Sequence, residues 1–376
     1  MSMTVDAPQR QKQAAPRLGD HAAPRLGIID TDIHPYMKTP RDLDPFLSAR
    51  WRKYLLEYDK FVCGPYATKG TYPRFSPNTC RRDAWPPGGG LPGSDVDFMR
   101  AQHLDANDIA FGVLEPLLNA NIARNLDAAV ALCTAMNDWQ KATFYEPEHR
   151  LRASILVPQD DAEASVKEIE RRAGDAAFAQ VQLGSKTSEP LGRRRYWPIF
   201  AAAQANDLSI GLHIGGTQNS APSAGGWPQF YMEDHHVLVH SMQNQTASLI
   251  LEGVFEAFPR LKVVLIEGGF AWGPTLGWRL DNHWKKMRDE VPALKRPPSE
   301  YMRSNIWFAT QPVEEPENPE DLRQVFDWIG WDRIVYSSDY PHWDYDDPRA
   351  AWRIRLSDEQ ERMILRDNAM AVYHFR

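Results

Sequence analysis

From Gly27 onward the chain alternates between two patterns. Short runs rich in β-branched and aliphatic residues occupy 28–33, 109–115, 152–157, 179–183, 208–213, 262–267, 305–310 and 333–338. Longer segments between them, such as 121–144, 245–258 and 271–288, return an apolar residue every three or four positions. The first pattern predicts buried strands and the second predicts helices with one face against a core. Strands that alternate with helices form parallel sheets, and eight such units match a closed (β/α)₈ TIM barrel better than an open sheet. The expected organisation is therefore α/β, with one barrel domain over 27–376.

Two segments break the rhythm. Residues 60–93, after the first run, are rich in glycine and proline around Trp85-Pro86-Pro87-Gly88-Gly89-Gly90. A long inserted loop after strand 1 falls on the catalytic face of a barrel, where it serves as a lid or, alternatively, as a surface excursion or subunit contact. Residues 1–26 are polar and proline-containing, with Ala-Ala-Pro-Arg-Leu-Gly occurring twice. They are expected to form a mobile N-terminal arm.

Composition narrows the function classes. A 43% hydrophobic and 25% charged content is that of a globular chain with a sizeable core, and a net charge of -7 over 376 residues argues against a nucleic-acid or anionic-membrane partner. A small-molecule substrate is expected. Cys63, Cys80 and Cys133 show no CxxC spacing and no even pairing, which predicts reduced thiols and a cytoplasmic location. No segment has the length and apolarity of a signal peptide or a membrane span.

Candidate chemistry gathers at strand ends. The first run closes on Asp30-Thr31-Asp32-Ile33-His34-Pro35, and alternation along a strand puts Asp32 and His34 on one side. The fifth run ends at His213 before a glycine turn, and the eighth is followed by Asp339. Asp32, His34, His213 and Asp339 together offer mixed nitrogen and oxygen ligands for one divalent metal, zinc as first choice and manganese as the alternative. Trp227, Tyr231, Phe270, Trp272 and Trp343 lie in or beside loops after strands and are candidate walls for an aromatic or unsaturated substrate.

On these residues, and on Tyr196-Trp197-Pro198-Ile199, Gly253-Val254-Phe255-Glu256-Ala257-Phe258-Pro259, Ser337-Ser338-Asp339-Tyr340-Pro341-His342 and Asp367-Asn368-Ala369, the chain resembles the amidohydrolase superfamily. The branch is the one that includes aminocarboxymuconate-semialdehyde decarboxylase and related metal-dependent hydrolases. The resemblance implies metal binding by Asp32, His34 and His213, with Asp339 binding the metal or taking the proton from its water. It also implies a homodimer and makes His235, within Glu233-Asp234-His235-His236, the preferred second-shell acid or base.

Three departures bear on mechanism. The first strand carries Asp32-Ile33-His34 where superfamily members often have His-x-His. The sixth run ends in Glu267 where decarboxylase-like relatives usually have histidine. Gln182-Leu183-Gly184-Ser185 on the fourth strand lacks a bridging lysine or histidine, which implies one metal rather than two. The reading that follows is hydrolysis of an amide, ester or lactone, with Asp339 moving the proton and Glu267 or His235 serving the leaving group. The alternative is nonoxidative decarboxylation of a small aromatic or unsaturated acid on the same metal. A non-catalytic barrel is the third reading, and the intact ligand set counts against it.

Overall fold

A computed structural model describes residues 26–58, 79–117, 125–216, 221, 223, 225–373 and 375. Eight parallel strands run in chain order: β1 (Ile28–Ile33), β2 (Ile109–Leu114), β3 (Leu151–Leu156), β4 (Phe178–Lys186), β5 (Ser209–Gly216), β6 (Val263–Ile266), β7 (Ile306–Ala309) and β8 (Ile334–Val335). The segment following β8 meets β1 through Thr31 N to Tyr336 O at 3.1 Å and His34 N to Tyr340 O at 2.7 Å. The result is a nearly closed TIM barrel, as the alternation predicts. Each of the eight expected runs coincides with a strand. Strands such as Val263-Val264-Leu265-Ile266 are continuous apolar runs because both faces are buried, one in the barrel and one under helices.

The core has two layers. Ile29, Val113, Val264, Ile266, Trp307 and Val335 fill the barrel, with Ala369 and Val372 of the last helix (Asn368–Val372) and Tyr373 just after it packed against them. A larger layer, including Ile33, Val181, Leu212, Leu265 and Phe308, lies between strands and outer helices. On β1 this assignment places Ile29 inside but Ile33 outside, which simple alternation forbids. The reason is a β-bulge: between Asp30 and Ile33 the strand advances three residues while β2 advances from Gly112 to Leu114. One extra residue inverts the facing of everything after it.

Helices follow the expected segments with shifted bounds. The first expected segment holds the helix Leu126–Gln140, where the Asn125 side chain caps the Ala128 N–H, and the third holds Trp272–Met287. The largest difference is the helix Tyr231–Leu251, which begins at Tyr231 instead of near 245. Its first turns are only partly buried, so they carry little apolar periodicity. They are started instead by Glu233, whose Oε2 accepts the N–H groups of Gln229 and Phe230. No helix among the described residues is long and apolar enough to cross a membrane.

Residues 1–25 of the expected N-terminal arm and 60–78 of the insertion, Cys63 among them, lie outside the described residues. The described end of the insertion lies on the catalytic face: Cys80 bridges to His342, Trp343 N donates to Thr79 O at 2.7 Å, and Tyr36 N donates to Gly93 O at 3.0 Å. Cys80 and Cys133 are buried.

Candidate metal centre

The bulge turns Asp32 and His34 inward at the mouth of the barrel, and both are fully buried. His34 donates from Nδ1 to the Glu115 carbonyl at 2.6 Å, which leaves Nε2 with its lone pair toward Asp32 Oδ1 at 3.2 Å and Asp339 Oδ1 at 2.7 Å. His213, from β5, is oriented the same way: Nδ1 lies 2.7 Å from the Ile214 carbonyl, and Nε2 faces Glu267 Oε2 at 3.0 Å and Asp32 Oδ1 at 3.9 Å. A carbonyl that fixes one ring nitrogen and presents the other is how histidines are prepared for metal.

The ligand atoms converge in two overlapping groups. Asp32, His34, His213 and Glu267 offer atoms within 4.8 Å of one another, and His34, Asp339 and His342 do likewise. Both Asp32 oxygens and the Nε2 atoms of His34 and His213 are buried without a hydrogen-bond partner. Buried polar atoms left so are costly unless something pairs them, and carboxylates facing lone pairs of imidazole fit a cation. The donor set thus fits one divalent metal. The expected four residues are brought together, and Glu267 and His342 join them.

Electrostatics agree with that fit. Burial pushes the Asp32 and Asp339 carboxyls well above their ordinary value, and burial with the neighbouring His342 and His213 lowers His34. At His213 burial, which lowers the pKa, is outweighed by the close Glu267 carboxylate and by the charges of Asp32 and Glu115, which push it up to about 10 in the metal-free pocket. Positive charge is what this pocket lacks.

Local backbone conformation aims the last two carboxylates. Glu267 and Asp339 both adopt the left-handed region, with φ of 57° and 60°. Such residues cost of order 1 kcal/mol or more and persist where neighbours enforce them. At Glu267 the enforcer is Glu314, whose carboxylate accepts the N–H groups of Phe270 and Ala271 at 3.1 Å each. Gly269, φ 60°, leaves it room, since a Cβ there would meet Glu314 Oε1 at 2.6 Å. Asp339 is held by His342 Nδ1 at 2.6 Å from Oδ1 and by Gln311 Nε2, which donates to Oδ2 at 3.2 Å. Tyr36 OH lies 3.1 Å from His342 Nε2 and extends this chain.

His235 lies on the helix Tyr231–Leu251, beside Asp344. Its Nε2 is 3.1 Å from Asp344 Oδ2, a carboxylate that raises the pKa of His235 and whose charge also raises that of Asp339. The aromatic candidates divide. Tyr231 and Trp343 meet beside His235, Trp343 Nε1 donating to Tyr231 OH at 2.9 Å, and Trp227 stands partly exposed with Lys186 Nζ 6.0 Å from its ring centre. Phe270 and Trp272 are not brought to this group, a correction to the expected substrate wall. Phe270 is buried against Phe326, and Trp272 donates to the Gly268 carbonyl while its ring packs on Phe308. The turn after β6 folds both outward under the helices.

Sequence reasoning gave no role to Glu115, His342, Gln311 or Asp344. Two signals were available: Glu115 ends the second run as a carboxylate, and His342 stands three residues after Asp339.

Comparison with known proteins agrees with this geometry. Residues 29–375 match the profile of the family described as Amidohydrolase, and the chain belongs to that family. It is similar to 2-amino-3-carboxymuconate-6-semialdehyde decarboxylase of Dictyostelium discoideum, 24% identical over 248 residues, a match covering 65% of this chain and 66% of that protein, just under two thirds of its length. Among solved structures, an amidohydrolase from Mycobacterium avium subsp. paratuberculosis K-10 superposes with a TM-score of 0.71 at 22% identity, over 93% of this chain and 100% of that one. The 5-carboxyvanillate decarboxylase of Sphingomonas paucimobilis gives 0.68 at 20%, over 93% and 100%. A dihydroxybenzoic acid decarboxylase from Polaromonas sp. JS666, solved with manganese and the inhibitor 2-nitroresorcinol, gives 0.63 at 20%, over 92% and 96%. These structural likenesses concern the fold.

Proposed function

We propose that the protein is a metal-dependent nonoxidative decarboxylase of a small aromatic or unsaturated carboxylic acid. The observation that carries this reading is the convergence of Glu267 with Asp32, His34 and His213, whose candidate ligand atoms all lie within 4.8 Å of one another. As a free charge beside the metal, Glu267 would repel a substrate carboxylate and favour hydrolysis. Placed among the residues that would hold the cation, Glu267 would be compensated by it within the pocket, and that objection to an acid substrate is removed. The named activities of the Dictyostelium, Sphingomonas and Polaromonas proteins support the same choice over the hydrolytic reading, and the manganese of the last favours Mn²⁺ over Zn²⁺.

Asp32, His34 and His213, with Asp339 or Glu267, would hold the cation, which when bound supplies Lewis-acid attraction for the substrate carboxylate and an adjacent oxygen. Asp339, oriented by His342 and Gln311, delivers a proton to the carbon that loses its carboxylate, so that the substrate carboxylate and one proton become the shortened product and carbon dioxide. His235 and Asp344 form the route by which that proton is replaced. Tyr231, Trp343 and Trp227 provide a flat, partly polar wall near that route.

Manganese-loaded protein, supplied with a panel of hydroxy-substituted benzoic acids in deuterated water, should release carbon dioxide and place one deuterium on carbon. Label from oxygen-labelled water in the product of an amide, ester or lactone panel, with no carbon dioxide from any acid, would overturn the proposal.

A further inference from the structure

Asp30 is fully buried, yet it does not face the metal cluster, because the bulge that turns Asp32 inward leaves Asp30 on the outer side of β1. Its carboxylate accepts four hydrogen bonds. Oδ1 takes the Asp32 N–H at 3.2 Å and the Ser338 N–H at 2.9 Å, while Oδ2 takes Ser338 Oγ at 2.5 Å and His103 Nε2 at 2.7 Å. Ser338 Oγ also receives the Tyr340 N–H at 3.1 Å. One carboxylate therefore ties the strand that bears Asp32 and His34 to the turn that bears Asp339.

A bulge removes backbone groups from the ladder, and each buried N–H left over needs another acceptor. The two N–H groups bound by Oδ1 belong to a metal-binding candidate and to the residue immediately before another. His103 completes the brace from outside. Its ring stacks on Tyr340 at 4.6 Å with 11° between planes, and Asn107 Nδ2 and Tyr345 OH lie 3.4 Å from its Nδ1. Such a ring has no freedom to leave Asp30.

We infer that Asp30, braced by His103, is a positioning residue that holds the β1 bulge and so sets the metal geometry of Asp32, His34 and Asp339 without touching the metal. The inference rests on the metal-centre reading but not on which reaction follows. Loss of partners that orient ligands typically weakens metal binding by about 10- to 100-fold.

The test is Mn²⁺ titration of metal-free protein, reading free and bound ion by electron paramagnetic resonance, with circular dichroism to establish the fold. In Asp30→Asn an amide N–H must face donors on one side, so Mn²⁺ affinity should fall by about 10- to 100-fold and the bound-ion spectrum should change. Should that variant fail to fold, His103 decides: His103→Phe keeps a stacking ring but no donor and should bind Mn²⁺ more weakly, whereas His103→Gln keeps a donor and should restore affinity. Ile169→Ala, a core truncation in the outer helix Ala162–Arg172, should lower thermal stability and leave affinity unchanged. Folded Asp30→Asn or His103→Phe with wild-type affinity and spectrum would overturn the inference. Wild-type protein that binds no Mn²⁺ would instead overturn the metal centre itself.

Discussion

Replacing Glu115 with glutamine should change how the metal-free protein responds to pH. Glu115 follows β2 directly and is fully buried. Its Oε1 accepts from Ser154 Oγ at 3.0 Å and from Gln180 Nε2, while Oε2 has no hydrogen-bond partner. Burial pushes the carboxyl from 4.5 to about 8, outweighing the opposing pull of His213, Ser154 and Gln180. Between those values the unfolded chain has released a proton that the folded chain keeps. Stability therefore falls as pH rises through the window, by about 1.4 kcal/mol per pH unit and about 5 kcal/mol in all, and the slope ends once both states are ionised above about pH 8. That is a large share of the roughly 5–15 kcal/mol that keeps a domain folded. Glutamine at this position keeps an oxygen for Ser154 and Gln180 and carries no titrating group. Urea unfolding of both metal-free proteins from about pH 5.5 to 8.5 should show the variant gaining on the wild type by up to about 1.4 kcal/mol per unit until the gain levels near pH 8. Two curves separated by a constant offset would refute the reasoning, because they would mean that Glu115 is equally ionised in both states.

His213→Ala should leave a folded chain that no longer retains its metal, since an imidazole and its fixed orientation are both lost; full stoichiometry by metal analysis would remove His213 from the site. Asp339→Asn should keep the fold and lose about 10²–10⁴-fold in turnover, with metal content measured alongside to separate ligand loss from proton-transfer loss. Phe270→Ala should cost about 3–5 kcal/mol in denaturant unfolding and leave KM unchanged in what remains folded. Trp343→Ala, at an exposed position, should change stability by less than about 1 kcal/mol and raise KM. Opposite behaviour of that pair would return Phe270 to the substrate wall.

The fold was legible because it is written in local periodicity. Runs such as 109–115 and 262–267 are apolar on both faces, a pattern that a parallel barrel requires and that survives reading without neighbours. Strand ends were legible for the same reason, and with them Asp32, His34, His213, Asp339 and the terminal Glu267. Local pattern could not show what those ends face. Alternation counted from Ile29 would send Asp32 and His34 outward; the bulge at Asp30 reverses them, and the donors that hold the Asp30 carboxylate come from Ser338 and His103, far away in the chain. Glu267 read alone is a free charge, and only the fold brings it beside Asp32, His34 and His213 as a further ligand candidate. The helix from Tyr231 escaped periodicity because its opening turns are only partly buried, and Phe270 and Trp272 looked like pocket residues until the Glu314-held turn folded them under the outer helices. Sequence by itself determined which elements form and which chemistry stands at their ends, since both depend on near neighbours. Tertiary structure alone decided which way each end points and what neutralises it, because those depend on hydrogen bonds and charges contributed by residues hundreds of positions apart, such as Asp30 and Ser338.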